Sequence, residues 1–373
     1  MKILFLCHSL DLGGLETYML RFAKWLSVTN PEYQLHILCK SGKFGFYESD
    51  FRNLGVILHS KVMKYFNLIQ YFHFYLFLRS NKYISICDFG GDFGALPITV
   101  AYVAKTPVRV VFYRCARNVY KPTKLKEIYQ LLVNFLVRRF ATKILSNSKV
   151  ALINYHSSCS PVQNDRFKVI RNGIPVPSAI SCNDKESLLR KLNISRGHKI
   201  VLNVGSGSWV KNHKCMLEIA RLAQNNCDKV YFYFVGSGVE KTHSSLVEKM
   251  NLKNTFFLGL RRDVDKLLQI ADVFLFPSFS EGQPNAFLEA IIGGVPFVAS
   301  DIAPIRESLS PEWGDRWLFS PDNPEQGYLV LNEHLKNNFK SDPQFINLVK
   351  WCRKEYNQNK CFQIFFDELV PEI

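Results

Sequence analysis

Two glutamates stand eight positions apart in the segment SEGQPNAFLEAIIGGVPFVASD, residues 280–301. The first, Glu281, lies in a loop pattern that follows the short apolar run Val273–Phe276. The second, Glu289, lies in an apolar stretch with helical spacing that begins at Pro284, a residue well suited to the first helical position. A charge on an otherwise apolar helix is unusual, so we expect Glu281 and Glu289 to face the same space and to serve one site.

The start of the same helix offers a second chemistry. Asn285 and Ala286 would present backbone N–H groups without intrahelical partners, at the positive end of the helix dipole. Such a helix start binds phosphate and other anions. The segment therefore predicts an anion site flanked by two carboxylates.

Glycines mark two further turns. Gly13 and Gly14 lie between the first strand and the first helix, where they let the backbone approach a diphosphate closely. Gly205 and Gly207 follow a strand of the second half, but Val210 stands where a dinucleotide fingerprint would need its third glycine. A nicotinamide cofactor is therefore not expected at this turn.

Three basic residues could meet a phosphate. Lys211 follows the second glycine turn at the start of the next helix. Arg114 and Arg117 follow a strand of the first half, where they either bind a phosphate or only add to the surface charge.

Composition limits the classes of protein. The 373 residues suffice for two domains of ordinary size. Ten cysteines without a CxxC pair predict thiols in a reducing, cytoplasmic compartment, not a disulfide framework or a zinc site.

The opening strand pattern breaks at His8, too early for a secretory signal, and no run of eighteen apolar residues predicts a membrane span. The whole excess of +15 lies in residues 1–171, which favours a negatively charged partner for that half.

Short apolar runs alternate with amphipathic helical patterns along the whole chain, which predicts parallel sheets covered on both faces. We expect an α/β protein with two doubly wound Rossmann-like domains, residues 1–171 and 172–351, facing across a central cleft. Residues 352–373 are expected to form a C-terminal helix whose last aromatic residues could pack on either domain, with a crossing back to the N-terminal domain as one alternative. Ligands are expected at the carboxyl ends of the strands.

These motifs together resemble retaining nucleotide-sugar glycosyltransferases of family 4, with the GT-B fold. The segment EGQPNAFLEAIIGGVPFVASD resembles the E-x7-E motif of that family. The resemblance extends over nearly the whole chain, through MKILFLCHSLDLGGLETYMLRFAKWL, ILSNSKV, VIRNGIPV, VLNVGSGSWVKNHKCMLEIARLA, YFYFVGSGVE and FFLGLRRDVDKLLQIADVFLFPS. It implies transfer of a hexose or N-acetylhexosamine, with retention, from a nucleoside-diphosphate sugar (UDP favoured) to a glycan or lipid-linked acceptor in cell-surface polysaccharide synthesis.

The resemblance also implies roles for the residues. The diphosphate would be bound by Lys211, by the Gly13-Gly14 turn and by the helix start at Pro284, Asn285 and Ala286. Glu289 would accept hydrogen bonds from the ribose, and Glu281 would hold the sugar hydroxyls near the anomeric carbon. The catalytic pair is thus Glu281 and Lys211, with Gly205 and Ser206 in the donor turn. The family usually has an arginine where this chain has Ser206, so one positive charge that would contact the diphosphate is missing.

The alternatives are specific. Asp263 and Asp265 form a DxD pattern that binds a metal in another glycosyltransferase fold, but an aspartate there also suits a helix N-cap. We expect no metal and no cofactor. The segment CDFGGDFG is a chance match to a kinase triplet or a glycine loop at a strand end. A nucleotide-sugar epimerase of the same architecture, or a basic nucleic-acid-binding module, remains as a rival function.

A final expectation concerns the membrane. The aromatic-rich helix predicted over Val62–Arg79, together with the basic first half, predicts peripheral binding to the anionic cytoplasmic face of a membrane. The alternative is that this helix is simply a crossover helix buried against the first sheet.

Overall fold

The computed structural model of the chain describes residues 1–64, 67–114, 124–156, 165–194, 197–226 and 229–371. Two compact units divide the chain. The first combines Met1–Gly173 with Gln358–Ile373, and the second is Ile174–Asn357. The first boundary thus lies two residues after the predicted one, and the predicted tail is shared between the units.

The first unit is a parallel α/β sheet. Its described strands are β1 (Lys2–Cys7), β2 (Gln34–Cys39), β3 (Ile57–Ser60), β4 (Ser85–Asp88), β5 (Val108–Tyr113), β6 (Lys143–Ser146) and β7 (Phe167–Val169). Its helices are α1 (Gly14–Thr29), α2 (Glu48–Asn53), α3 (Leu68–Asn81), α4 (Ala95–Val103), α5 (Lys124–Phe140), α6 (Lys149–Tyr155) and, from the end of the chain, α15 (Gln358–Asp367). The strand order is β3-β2-β1-β4-β5-β6-β7. Successive residues of β1 enter opposite cores, Ile3 and Phe5 on one face and Leu4 and Leu6 on the other. This explains why the strands are apolar throughout.

The second unit repeats the architecture. Its strands are β8 (Lys199–Val204), β9 (Val230–Val235), β10 (Thr255–Gly259), β11 (Val273–Phe276), β12 (Phe297–Ser300) and β13 (Leu318–Phe319). Its helices are α7 (Cys182–Lys191), α8 (His213–Asn225), α9 (Val239–Lys249), α10 (Val264–Ile270), α11 (Asn285–Ile292), α12 (Ala303–Ser308), α13 (Pro324–Lys336) and α14 (Pro343–Glu355). The order is β10-β9-β8-β11-β12-β13, with parallel pairs throughout. Two parallel-sheet α/β units are therefore confirmed.

Two predicted helices differ from the structure. The helix predicted over Val62–Arg79 begins only at Leu68, because the side chain of Asn67 caps it by accepting a hydrogen bond from the backbone N–H of Gln70 at 3.2 Å. The helical tail is interrupted at Tyr356, whose hydroxyl donates to a backbone carbonyl within the second unit. The residues beyond it, in α15, enter the core of the first unit instead.

Within the part of the chain that the structure describes, no helix is both long and apolar enough to cross a membrane.

Candidate active site

The order of the strands identifies the site end of each sheet. It reverses between β1 and β4 in the first unit and between β8 and β11 in the second. In doubly wound sheets, ligands bind at the carboxyl ends of the strands beside such a reversal. The loops after β8 and β11 carry Lys211 and Glu281, and the turn after β1 carries Gly13 and Gly14. Each unit therefore places its predicted site residues at its own reversal.

Lys211 and Glu281 form an ion pair at this end of the second sheet. The Nζ atom of Lys211 donates to Oε1 of Glu281 at 2.6 Å, although the residues are 70 positions apart. Their side chains are only 23% and 10% exposed. Nζ also lies 5.2 Å from the centroid of the Phe276 ring at the end of β11. The structure thus joins the two residues that the sequence proposed separately as catalytic.

Backbone and side-chain hydrogen bonds fix the two loops that carry this pair. The N–H of Phe279 donates to the carbonyl of Val210 at 2.8 Å. Asn212 adopts a left-handed conformation, which asparagine tolerates. Its amide donates to the carbonyls of Pro277 and Pro321 at 3.1 and 2.8 Å. The lysine is therefore held against the glutamate loop by the backbone as well as by its own charge.

The glycine turn after β8 packs against the loop after β9. Gly205 N–H donates to Val235 at 2.9 Å and Gly207 N–H donates to Ser237 at 2.7 Å. A Cβ atom at Gly207 would lie 2.5 Å from the carbonyl oxygen of Gly238, so this close approach requires glycine. Ser206 is exposed on the same turn.

His213, the first residue of α8, is a group near the pair that the sequence did not single out. Its ring is buried, and it packs 5.2 Å from the ring of His243 and 5.9 Å from that of Phe234. Burial, assisted by His243 and Lys211, lowers the pKa of His213 to about 4. The ring is therefore neutral at pH 7 and adds no positive charge beside Lys211.

The helix start after Glu281 differs slightly from the prediction. α11 begins at Asn285, and Pro284 occupies the N-cap position instead of the first helical position. Glu281 lies in the loop and Glu289 lies inside the helix, as predicted, and Asn285, Ala286 and Glu289 are each half-buried.

The turn after β1 is occupied by an acidic side chain. The carboxylate of Glu16 fills the space that a Cβ atom at Gly13 would need. Burial raises the pKa of Glu16, while its own backbone N–H and the Arg114 guanidinium act in the opposite direction. The guanidinium of Arg114 lies 4.2 Å over the Tyr18 ring. Arg114 is thus near the Gly13–Gly14 turn, and Arg117 lies outside the described residues.

Two other patterns have structural roles. Asp88, at the end of β4, accepts two hydrogen bonds from Lys40 at 2.9 Å and one from Gly90 N–H at 2.7 Å. The CDFGG segment is therefore a strand-end loop held by a buried ion pair. Asp263 is at the N-cap position of α10, but its side chain makes no cap hydrogen bond. The carboxylate instead accepts from Arg261 at 2.8 and 2.7 Å, so Asp263 has the predicted N-cap position without a capping bond.

Comparison with known proteins finds similarity to glycosyltransferases. Residues 184–349 match the family described as "Glycosyl transferases group 1". An N,N'-diacetylbacillosaminyl-diphospho-undecaprenol alpha-1,3-N-acetylgalactosaminyltransferase from Campylobacter jejuni is 33% identical over 203 residues, which are 53% of this chain and 52% of that protein. A UDP-Gal:alpha-D-GlcNAc-diphosphoundecaprenol alpha-1,3-galactosyltransferase from Escherichia coli is 28% identical over 73% of each chain.

The solved structures agree on the fold. The crystal structure of HepE from Anabaena in complex with UDP-glucose covers 99% of each chain with a TM-score of 0.81 at 17% identity. A lipopolysaccharide glycosyltransferase, WaaG, covers 99% of this chain with a TM-score of 0.69. The fold is that of the GT-B glycosyltransferases. The family match covers residues 184–349, which are less than half of the chain, and the alignment with the Campylobacter relative spans about half of that protein.

Proposed function

We propose that this chain transfers a hexose or N-acetylhexosamine from a nucleoside-diphosphate sugar to a glycan or lipid-linked acceptor in cell-surface polysaccharide synthesis. The observation that carries the proposal is the Lys211–Glu281 pair, at 2.6 Å, beside the strand reversal of the second sheet. A cation at this position would bind the leaving diphosphate, and a carboxylate beside it would bind the sugar.

The proposed chemistry depends on charge placed where the diphosphate leaves. The bond between the anomeric carbon and the β-phosphate oxygen breaks, and the acceptor oxygen forms the new bond on the same face. Lys211 and the N–H groups at the start of α11 would stabilise the charge on the leaving oxygen. Glu281 would position the sugar hydroxyls, Glu289 would bind the ribose, and the acceptor proton would pass to the leaving phosphate or to Glu281.

UDP is the donor nucleotide we favour. HepE was crystallised with UDP-glucose, and the Escherichia coli relative is named for UDP-Gal. No metal is part of the proposal. The carboxylate of Asp263, the first acid of the DxD pattern, is already held by Arg261, whose hydrogen bonds lower the pKa of Asp263.

A lipid-linked acceptor is supported by the names of both curated relatives, which include diphosphoundecaprenol. The first unit would then rest on the cytoplasmic face of an anionic membrane. Of the aromatic residues of the predicted helix, Tyr71 and Phe74 are buried, and Tyr65 and Phe66 lie outside the described residues. Among the described side chains of α3 and α5, the exposed apolar residues are Leu68, Ile69, Phe72, Leu76, Ile128, Leu131, Leu132 and Phe135.

A vesicle flotation assay tests the membrane part of the proposal. Binding is expected with anionic but not neutral lipid, because each basic residue near an anionic surface contributes about 1 kcal/mol. It should weaken in high salt and on changing Lys61, Lys64 and Arg79 to Glu. Leu131→Ser, at an exposed position of α5, should also weaken vesicle binding. Leu329→Ser, at an exposed position of the second unit, is its matched control and should not. Equal binding to neutral vesicles, or none to either, would refute it.

Thermal shift followed by a product assay tests the reaction. UDP, GDP, ADP and their common sugars are screened, and a ligand at about 100 times its dissociation constant adds about 2.7 kcal/mol to the unfolding free energy. Release of the free nucleoside diphosphate only when acceptor is added distinguishes transfer from epimerisation and from nucleic-acid binding. NMR of the product reports retention at the anomeric carbon.

A further inference from the structure

Trp209 is exposed beside the Lys211–Glu281 pair. Its side chain is 66% exposed, whereas Trp25, Trp313 and Trp317 are buried and Trp351 is partly buried in the second unit's core. A large aromatic ring left in water forgoes the stabilisation that burial would give it, so its position next to a candidate site suggests that a ligand covers it.

A second aromatic ring stands next to it. The centroids of Trp209 and Phe279 are 6.2 Å apart, with their planes inclined by 36°. Trp209 begins the short 3-10 turn that ends at Lys211, and Phe279 lies two residues before Glu281. The two rings therefore come from the two loops that carry the ion pair.

Backbone hydrogen bonds also fix the loops that carry these rings. Phe279 N–H donates to Val210, the residue after Trp209, at 2.8 Å, and Asn212 N–H donates to the carbonyl of Trp209 itself at 3.1 Å. Little backbone entropy would be lost when a ligand settles on rings carried by loops that are already held, which favours binding.

We propose that Trp209 and Phe279 form an aromatic platform for a pyranose ring. The C–H groups on the less polar face of a pyranose carry partial positive charge, and the face of an aromatic ring carries the negative part of its quadrupole. A sugar lying there would keep its hydroxyls at the edge, where Glu281 accepts hydrogen bonds. This inference rests on the proposed function. The pyranose belongs either to the donor or to the acceptor, and the experiment distinguishes the two.

Fluorescence gives a direct measurement, since acrylamide quenches exposed tryptophans and Trp209 is the exposed one. The donor probes are UDP-glucose and UDP-N-acetylglucosamine, with UDP as the sugar-free control. The acceptor probe is N-acetylglucosaminyl-diphosphofarnesol with UDP present, with farnesyl diphosphate and UDP as its control. Protection by a sugar-bearing probe beyond its sugar-free control supports the platform and names the source of the pyranose. Equal protection by probe and control in both arms overturns it.

Kinetics with three variants provide the second measurement. Trp209→Ala should raise KM about tenfold for the one substrate, donor or acceptor, whose pyranose lies on the platform, which corresponds to about 1.4 kcal/mol. The value of kcat should change less than about twofold. Trp209→Phe should recover most of the loss, because it keeps a ring. Leu329→Ala, which also removes an exposed apolar side chain of the second unit, should leave both constants unchanged. Wild-type KM values for Trp209→Ala would overturn the platform.

The two proposals fail in different ways. If UDP and its sugars neither shift the melting temperature nor are turned over, the proposed donor is wrong and the platform fails with it. If they bind and react while Trp209 stays equally quenchable, only the platform is wrong.

Discussion

Removing the negative charge of Glu281 should tighten the binding of UDP, although it should slow sugar transfer. Glu281 holds the Nζ atom of Lys211 at 2.6 Å. A diphosphate that binds Lys211 must therefore displace this carboxylate or share the lysine with it. Glu281→Gln removes the competitor and leaves the side chain nearly the same size.

The magnitude follows from the exposure of the pair. Both side chains are partly screened by solvent, so the ion pair is worth up to about 1 kcal/mol, and Glu281→Gln should lower the dissociation constant of UDP about fivefold. Lys211→Ala should raise it ten- to a hundredfold, because it removes a charge-assisted hydrogen bond worth about 1.5–3 kcal/mol. The dissociation constant of the double variant should lie between those of the two single variants, since the lysine is gone but no carboxylate is left at position 281 to repel the diphosphate.

Isothermal titration of UDP into the wild type, the two single variants and the double variant measures this cycle. Glu312→Gln is the control, because it removes the same charge from an exposed position of the second unit. Weaker or unchanged UDP binding by Glu281→Gln would refute the competition. Unchanged binding by Lys211→Ala would remove that lysine from the diphosphate site.

Four further outcomes are expected. EDTA should leave transfer intact, and loss of activity that manganese restores would revive Asp263 as a metal ligand. Glu289→Gln should raise the dissociation constant of UDP without changing the melting temperature. If Glu289 binds the ribose hydroxyls, the substitution should weaken the binding of 2'-deoxy-UDP and 3'-deoxy-UDP less than it weakens the binding of UDP. An equal weakening for all three ligands would contradict a ribose contact. Because burial lowers the pKa of His213 and His334 to about 4, the unfolded chain binds protons first, so the free energy of unfolding should fall as the pH drops from about 6.5 towards 4. His213→Gln should make the free energy of unfolding, measured by urea denaturation, depend less steeply on pH. An unchanged pH dependence would show that His213 does not contribute to it. Glu368→Gln should lower the unfolding free energy of the first unit by up to about 1 kcal/mol, since Glu368 accepts at 2.5 Å from Lys168, whose side chain is 39% exposed. An unchanged urea midpoint would show that α15 and the residues after it are held by their apolar side chains alone.

The local pattern of the sequence was sufficient for most strands and for the glutamate motif. The predicted apolar run Val273–Phe276 is strand β11, and Glu281 and Glu289 lie in a loop and a helix as the proline and the apolar spacing indicated. These features depend on neighbours in the sequence: apolar runs that two covered faces require, turn residues, and a proline before a helix. The resemblance to glycosyltransferases rested on the same local motifs.

Only the tertiary structure joined residues that are far apart in the chain. The contact of Lys211 with Glu281 depends on β8 and β11 being neighbours, which the strand order decides and no local pattern contains. The tail illustrates the same limit, because a helical pattern through Tyr356 does not reveal that the residues before and after it enter different cores. Trp209 is the third case. Trp209 is exposed because other aromatic rings fill the core of the second unit, and the periodicity of the sequence does not indicate which rings those are.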